Sequence, residues 1–241
     1  IDYETSEDKN LEKNIILDPI YTEEVFSKEI VKSTKNNPIE IYKIGHGYYK
    51  IAFIGVVHGD EPQGEYIIRE LIKLIDKNKN LVENKSLLLI PVINPDALKK
   101  KTRVNANGVD INRNFPTKDW VKSKYKNRYY SGQKPSSEVE TNIIINQIND
   151  FEPNLIITIH APYKVINYDS EAIKICELLS KYNRYKIVNN IGYVTHGSLG
   201  TYFGKERNIP VITLETSNSN GQISWKENKN AFFNLLSTIY N

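Results

Sequence analysis

The sequence predicts an α/β domain in which helices sandwich a mixed, largely parallel central sheet. Two observations carry that prediction. Short apolar runs rich in β-branched residues alternate with amphipathic stretches of helical spacing, the pattern of strands linked by crossover helices. The central runs are also apolar throughout, as strands covered on both faces are. At 241 residues the chain fits one such domain, and no internal repeat, linker or low-complexity segment divides it.

Residues 1–18 are polar and charged and read as an extended lead-in. Residues 22–32 space Val25, Phe26, Ile30 and Val31 as a helix would. Ile39, Ile41 and Ile44 mark a strand over Pro38–Ile44, closed by the turn signal His46-Gly47. Residues 49–57 read as a buried central strand. Residues 62–76 read as an amphipathic helix with Ile67, Ile68, Leu71, Ile72, Leu74 and Ile75 on its apolar face. Residues 86–92 form the next strand. Residues 94–135 are long, polar and irregular, and a loop of that length within one domain is usually functional or disordered. A helix follows over 136–150, its start signalled by the capping-box spacing of Ser137 and Glu140. Strands are then expected at 154–159, 185–188 and 211–214, with helices at 170–181 and 225–239.

Composition narrows the chemistry. Thirty-two basic and 29 acidic residues leave a net charge of +3, which gives no global electrostatic case for nucleic acid. The longest apolar runs, near 51–57 and 87–93, are far short of the ~18 residues of a membrane span. The lone Cys176 excludes an intramolecular disulfide and a multi-cysteine zinc cluster. A metal site must therefore draw on four histidines and the carboxylates. Because the chain begins at Ile1 and holds no methionine, a preceding segment is expected to have been removed.

In α/β sheets sites collect at the carboxyl ends of the strands, and three strands end here on such residues. His58 and Glu61 follow the strand closing near Val57, His160 closes the strand from 154, and Glu215 follows Leu214. His58, Glu61 and the distant His160 fit an open zinc site, in which three protein ligands leave a fourth position to water. On the long irregular segment, Arg113 offers a planar fork suited to a carboxylate, with Asn112 as a further donor. Arg103 could stabilise an oxyanion, and Asp110 could fix the tautomer of a metal-bound imidazole. Taken singly, each arginine reads equally as a solvated surface charge and Asp110 as a turn residue. Lys99, Lys100, Lys101 and Arg103, with Lys118, Lys122, Lys124, Lys126 and Arg128, make this segment basic and suited to an anionic substrate, although a solvated loop explains most of those charges.

Together these residues resemble the zinc metallocarboxypeptidase family. The match comprises His58-x-x-Glu61, Asn94-Pro-Asp, Lys101-Thr-Arg103, Gly108-Val-Asp-Ile-Asn-Arg-Asn114, His160 and Glu215, in the family's order over residues 38–240. Within the family the chain is most similar to the small bacterial murein peptide amidases. That likeness rests on His58-Gly-Asp-Glu-Pro62, Ser137-Glu-Val-Glu-Thr141, His160-Ala-Pro162 with Asn167-Tyr-Asp169, and Gly197-Ser-Leu-Gly200. The resemblance implies a catalytic domain over 38–241 preceded by an extension and helix over 1–37, and one Zn²⁺ per chain held by His58, Glu61 and His160. It implies hydrolysis of the γ-D-glutamyl–diaminopimelate bond of murein peptides by a zinc-activated water, with Glu215 as general base and acid. Arg103 would hold the oxyanion, Asn112 and Arg113 the free C-terminal carboxylate, and Asp110 the far nitrogen of His58. The tyrosine that covers the terminal residue in digestive relatives has no clear counterpart: Tyr193 lies nearest by offset, with Tyr202 as rival. His46 and His196 carry no assigned role.

Other readings are a carboxypeptidase for ordinary L-peptides, an N-acyl amino acid deacylase of the aspartoacylase kind, and a non-catalytic murein- or zinc-binding module. The deacylases usually add a β-rich domain, whereas the twenty-six residues after Glu215 read as one helix. A binding module would not need Glu215. A murein substrate and a removed leader together point to the periplasm or another exported location, with the cytoplasm as the alternative.

Overall fold

The computed structural model describes residues 26–190, 192 and 194–238. Its strands are β1 (Phe26–Lys32), β2 (Pro38–Ile44), β3 (Tyr49–Gly55), β4 (Lys85–Ile90), β5 (Leu155–His160), β6 (Tyr163–Asp169), β7 (Lys186–Val188) and β8 (Val211–Ser217). Its helices are α1 (Gln63–Lys77), α2 (Pro95–Lys100), α3 (Val139–Phe151), α4 (Ile173–Asn183) and α5 (Gly221–Ser237).

The strands form one sheet in the order β1-β2-β4-β3-β5-β8-β6-β7. The central four, β4, β3, β5 and β8, run parallel, while β1, β2 and β6 join by antiparallel pairing. Because side chains alternate across a strand, the all-apolar runs supply two cores at once. Ile51, Phe53, Leu87, Leu89, Leu155 and Ile157 face one side, and Ala52, Ile54, Leu88, Ile90 and Ile156 face the other. On the first side α1 brings Ile67, Ile68, Leu71 and Ile75, and α5 brings Phe232, Leu235 and Leu236. Phe232 meets Phe53 edge-on at 5.8 Å, and each such buried side chain contributes roughly 1.5–3 kcal/mol. The second side is covered by Ile144 and Ile148 of α3, Ile111, Phe115, and Tyr202 with Phe203 from the π-helical turn Gly200–Lys205.

The sandwich is the expected one, with four local corrections. Residues 26–32 of the expected first helix are the strand β1, paired along its length with β2; residues 22–25 lie outside the described residues. The helical spacing misled because Phe26 and Ile30 are half exposed and cover no core. Backbone pairing, Phe26 against Tyr42 and the cross-strand pair of Lys28 with Glu40 decide the conformation instead. β6, a half-exposed strand hidden in the run after His160, was absent from the sequence reading because its apolar content is low. The Ser137/Glu140 capping box does not form. α3 starts at Val139 without a side-chain cap, and Glu140 turns inward to accept hydrogen bonds from Thr34 and Asn105.

Finally, residues 94–135 are a held framework and not a slack loop. Asn94 caps α2 by accepting from the Ala97 N–H, and its amide donates to the carbonyl of Val57. Asn114, fully buried, donates to the carbonyls of Ser131 and Lys134.

Candidate active site

At the end of β3 the chain turns sharply. Val56 sits at φ +48°, a left-handed conformation that a β-branched residue adopts only when its surroundings impose it. The backbone N–H of Asn94 donates to the Val56 carbonyl, so the Asn94-Pro95-Asp96 segment holds the strained turn. That turn delivers His58 and, ahead of α1, Glu61. The next strand over ends on His160, and the parallel register of β5 with β8 sets Glu215 directly beside it. All four side chains are buried at the carboxyl edge of the sheet.

The Glu61 carboxylate bridges the two imidazoles, Oε1 lying 3.0 Å from His58 Nδ1 and Oε2 2.8 Å from His160 Nδ1. The potential donor atoms of the three residues lie within 4.8 Å of one another. His58 Nε2 is engaged by the Oδ1 of Asp110 at 3.0 Å, which leaves Nδ1 as the nitrogen facing the centre. Asp110 has no exposed surface and also accepts from Arg103 Nε at 2.8 Å and from the Asn112 N–H at 3.0 Å. Burial opposes protonation of His58, but the carboxylates of Glu61 and Asp110 outweigh it and raise the imidazole to about 9. Burial likewise opposes ionisation of Glu61 and Asp110, yet chiefly His58 holds both carboxyls well below the usual range. A pocket that gathers cations between buried carboxylates suits a metal ion, and two imidazole nitrogens with one carboxylate are a donor set that zinc accepts.

Glu215 differs. Its Oε2 is buried with no hydrogen-bond partner, and burial raises its pKa above the ordinary carboxyl value. An ionisable oxygen left unpaired in a cleft has a reaction to serve more plausibly than a structure to hold. Opposite it, Arg103 is tied to Asp110 and reaches Glu61 Oε1 at 3.3 Å. Arg113 donates to the Asn112 carbonyl at 2.7 Å. The Asn112 side-chain oxygen accepts from the Leu199 N–H, so its NH₂ is the end left to donate.

These residues line one cleft of about 400 Å³, and eight of the nine residues singled out from the sequence meet at or immediately behind it. Tyr193 lies outside the described residues. Tyr202 packs against Phe115 and Phe203 in the core, with the Arg207 guanidinium over its ring. His196 pairs with Asp119 at 3.1 Å. Sequence reasoning gave no role to three residues of the cleft. Asp169, at the end of β6, lies 3.4 Å from Lys205. It closes so tightly on Gly200 that a Cβ there would meet its carboxylate at 2.1 Å. Arg128 and Tyr129 form another part of the wall. The glycine at 200 and the basic segment were the available signals, but neither says what it faces.

An α/β sheet whose parallel strands carry two imidazoles, a bridging carboxylate and an unpaired carboxylate to one edge defines a metal-dependent site of the hydrolytic type. Comparison with known proteins narrows the class. The zinc carboxypeptidase family matches residues 20–234, and the chain belongs to that family. It is 32% identical to murein peptide amidase A of Vibrio campbellii over 155 residues, 60% of this chain and 62% of the relative. With murein peptide amidase A of Escherichia coli K12 it shares 33% identity over 134 residues, 51% of this chain and 54% of the relative. Both alignments thus span less than two thirds of the relatives' own length. The fold matches the crystal structure of a murein-tripeptide amidase from Escherichia coli O157 with a TM-score of 0.72 at 23% identity, over 89% of this chain and 93% of that one. It also matches carboxypeptidase A of Helicoverpa armigera with a TM-score of 0.71 at 18% identity, over 86% and 66%.

Proposed function

We propose that the protein is a zinc-dependent hydrolase that cuts murein peptides at the γ-D-glutamyl–diaminopimelate bond, releasing the residue that bears the free terminal carboxylate. The observation that carries this reading is the convergence of the His58–Glu61–His160 cluster, the unpaired Glu215 and the Asn112–Arg113 pair in one cleft. His58, Glu61 and His160 would hold one zinc ion, which supplies Lewis acidity toward a carbonyl and acidifies water.

The protein's own groups divide the remaining work. Glu215 takes a proton from the attacking water and gives one to the leaving nitrogen, a double duty helped by a raised pKa. Arg103, fixed by Asp110, donates to the oxygen on which negative charge develops. Arg113 and the Asn112 amide grip the carboxylate of the departing residue and so restrict cleavage to a chain end. Asp169 and Lys205 lie at the cleft wall as a pair of opposite charges 3.4 Å apart. They complement a side chain ending in both an ammonium and a carboxylate, as that of diaminopimelate does. This feature, with the two similar amidases, supports a murein peptide over an ordinary one. A murein substrate also supports an exported location, which a full open reading frame with a signal peptide would bear out.

The test is incubation with a murein tripeptide and with a plain L-tripeptide, with and without chelator, read by exact mass. Chelator-sensitive release of diaminopimelate is expected. Cleavage of the plain peptide alone would overturn the murein assignment.

A further inference from the structure

The described cations that line the cleft are Arg103, Arg113, Arg128 and Lys205. Three of them are committed: Arg103 to Asp110 and Glu61, Arg113 to the terminal-carboxylate grip, and Lys205 to Asp169. Arg128 is held differently. It reaches Asp60 at 3.7 Å with 62% of its side chain exposed, and an exposed pair at that distance is worth about 0–1 kcal/mol. An incoming anion can take its place.

The location of Arg128 is informative. The Tyr129 ring lies 5.1 Å from the Arg103 guanidinium, 5.5 Å from that of Arg113 and 6.0 Å from that of Arg128. The three guanidinium groups thus surround one aromatic wall. Arg113 marks the leaving-group end of the cleft. Arg128 is anchored at Asp60, the neighbour of Glu61, and so stands toward the metal cluster and the acyl end.

We propose that Arg128 is a specificity-determining residue that receives a free carboxylate on the acyl side of the scissile bond. A γ-linked glutamyl residue carries such a group, its own α-carboxylate, whereas an ordinary residue such as alanine carries none. Tyr129 holds Arg128 in line with the other two arginines by stacking beneath it. The inference rests on the peptidase reading above and adds to it the means by which a γ-linked acidic residue is selected.

The test uses the zinc-loaded full chain and two substrates of one shape, a γ-D-glutamyl-diaminopimelate peptide and its counterpart with the glutamyl α-carboxylate converted to the carboxamide. Wild type should favour the acid by roughly tenfold in kcat/KM, the scale of one charge-assisted hydrogen bond. The preference should shrink at high salt, because the pair is exposed. Arg128→Ala should bring the acid-to-amide ratio close to one, mainly through KM, and Arg128→Lys should keep part of it. The ratio does not depend on how much variant is folded. An unchanged ratio in Arg128→Ala, or no preference in wild type, overturns the inference while leaving the hydrolase reading intact. If wild type cleaves neither peptide, both fall together.

Discussion

Replacing Asp110 with Asn tests the electrostatic framework most directly. The wild-type carboxylate accepts from His58 Nε2 on one oxygen and from Arg103 Nε on the other, with no exposed surface. Asparagine is nearly isosteric but offers one oxygen and one NH₂, so one of those buried donors must face another donor. An orphaned buried donor costs about 1–3 kcal/mol, more when charged. If the loss falls on His58, the imidazole is no longer held with Nδ1 toward the centre, and zinc affinity should drop 10- to 100-fold, the usual effect of removing such a partner. If it falls on Arg103, affinity holds but kcat falls, because the oxyanion donor swings free. Competition against a chromophoric chelator measures the first and steady-state kinetics the second. A variant with zinc affinity and kcat both within about twofold of wild type would refute the role given to Asp110.

Three further outcomes are expected. Glu215→Gln should lower kcat by roughly 10²- to 10⁴-fold while the variant still binds one zinc per chain by elemental analysis; undiminished turnover would remove Glu215 from the mechanism. Arg113→Ala should weaken substrates with a free terminal carboxylate far more than their C-terminally amidated forms, and equal losses in kcat/KM would end the clamp assignment. The fully buried Cys176 thiol is pushed up to about 12 by burial, so a disulfide reagent at pH 8 should label it only after denaturant is added. The sign of the linked pH effect follows: the folded state keeps its proton where the unfolded thiol has lost it. Stability from this group is therefore complete below about pH 8.5 and declines as pH rises toward 12. Rapid labelling of native protein would contradict the buried placement.

Legibility varied with the kind of force involved. The parallel core strands were readable because burial on both faces demands continuous apolar runs, and 49–55, 85–90 and 155–160 have them. β1 was misread because an edge strand has almost no core to record in its side chains; Phe26 and Ile30 face solvent, and pairing with β2 is a backbone event. β6 was missed for a similar reason, since only Ile166 among its residues is buried. At the site, residues with unusual chemistry at strand ends stood out, and they came together as expected. Asp169, Arg128 and Tyr129 did not stand out, because an exposed arginine and a strand-end aspartate look like ordinary surface residues until a cleft forms beside them.

By itself the sequence determined the sandwich, the ligand set His58, Glu61 and His160, and the carboxylate Glu215. Those follow from hydrophobic periodicity and from residue types that few other roles require. The tertiary structure alone decided the register that sets His160 beside Glu215, and the orientation of Glu61 between two Nδ1 atoms. It also decided which of nine basic residues on the long segment enter the cleft: Arg103, Arg113 and Arg128 line it, while the others named from sequence do not. The physical reason is distance. Burial is a property of each residue and leaves its trace locally, whereas hydrogen bonds and charge pairs join residues far apart in the chain, and their geometry exists only after the sheet has closed.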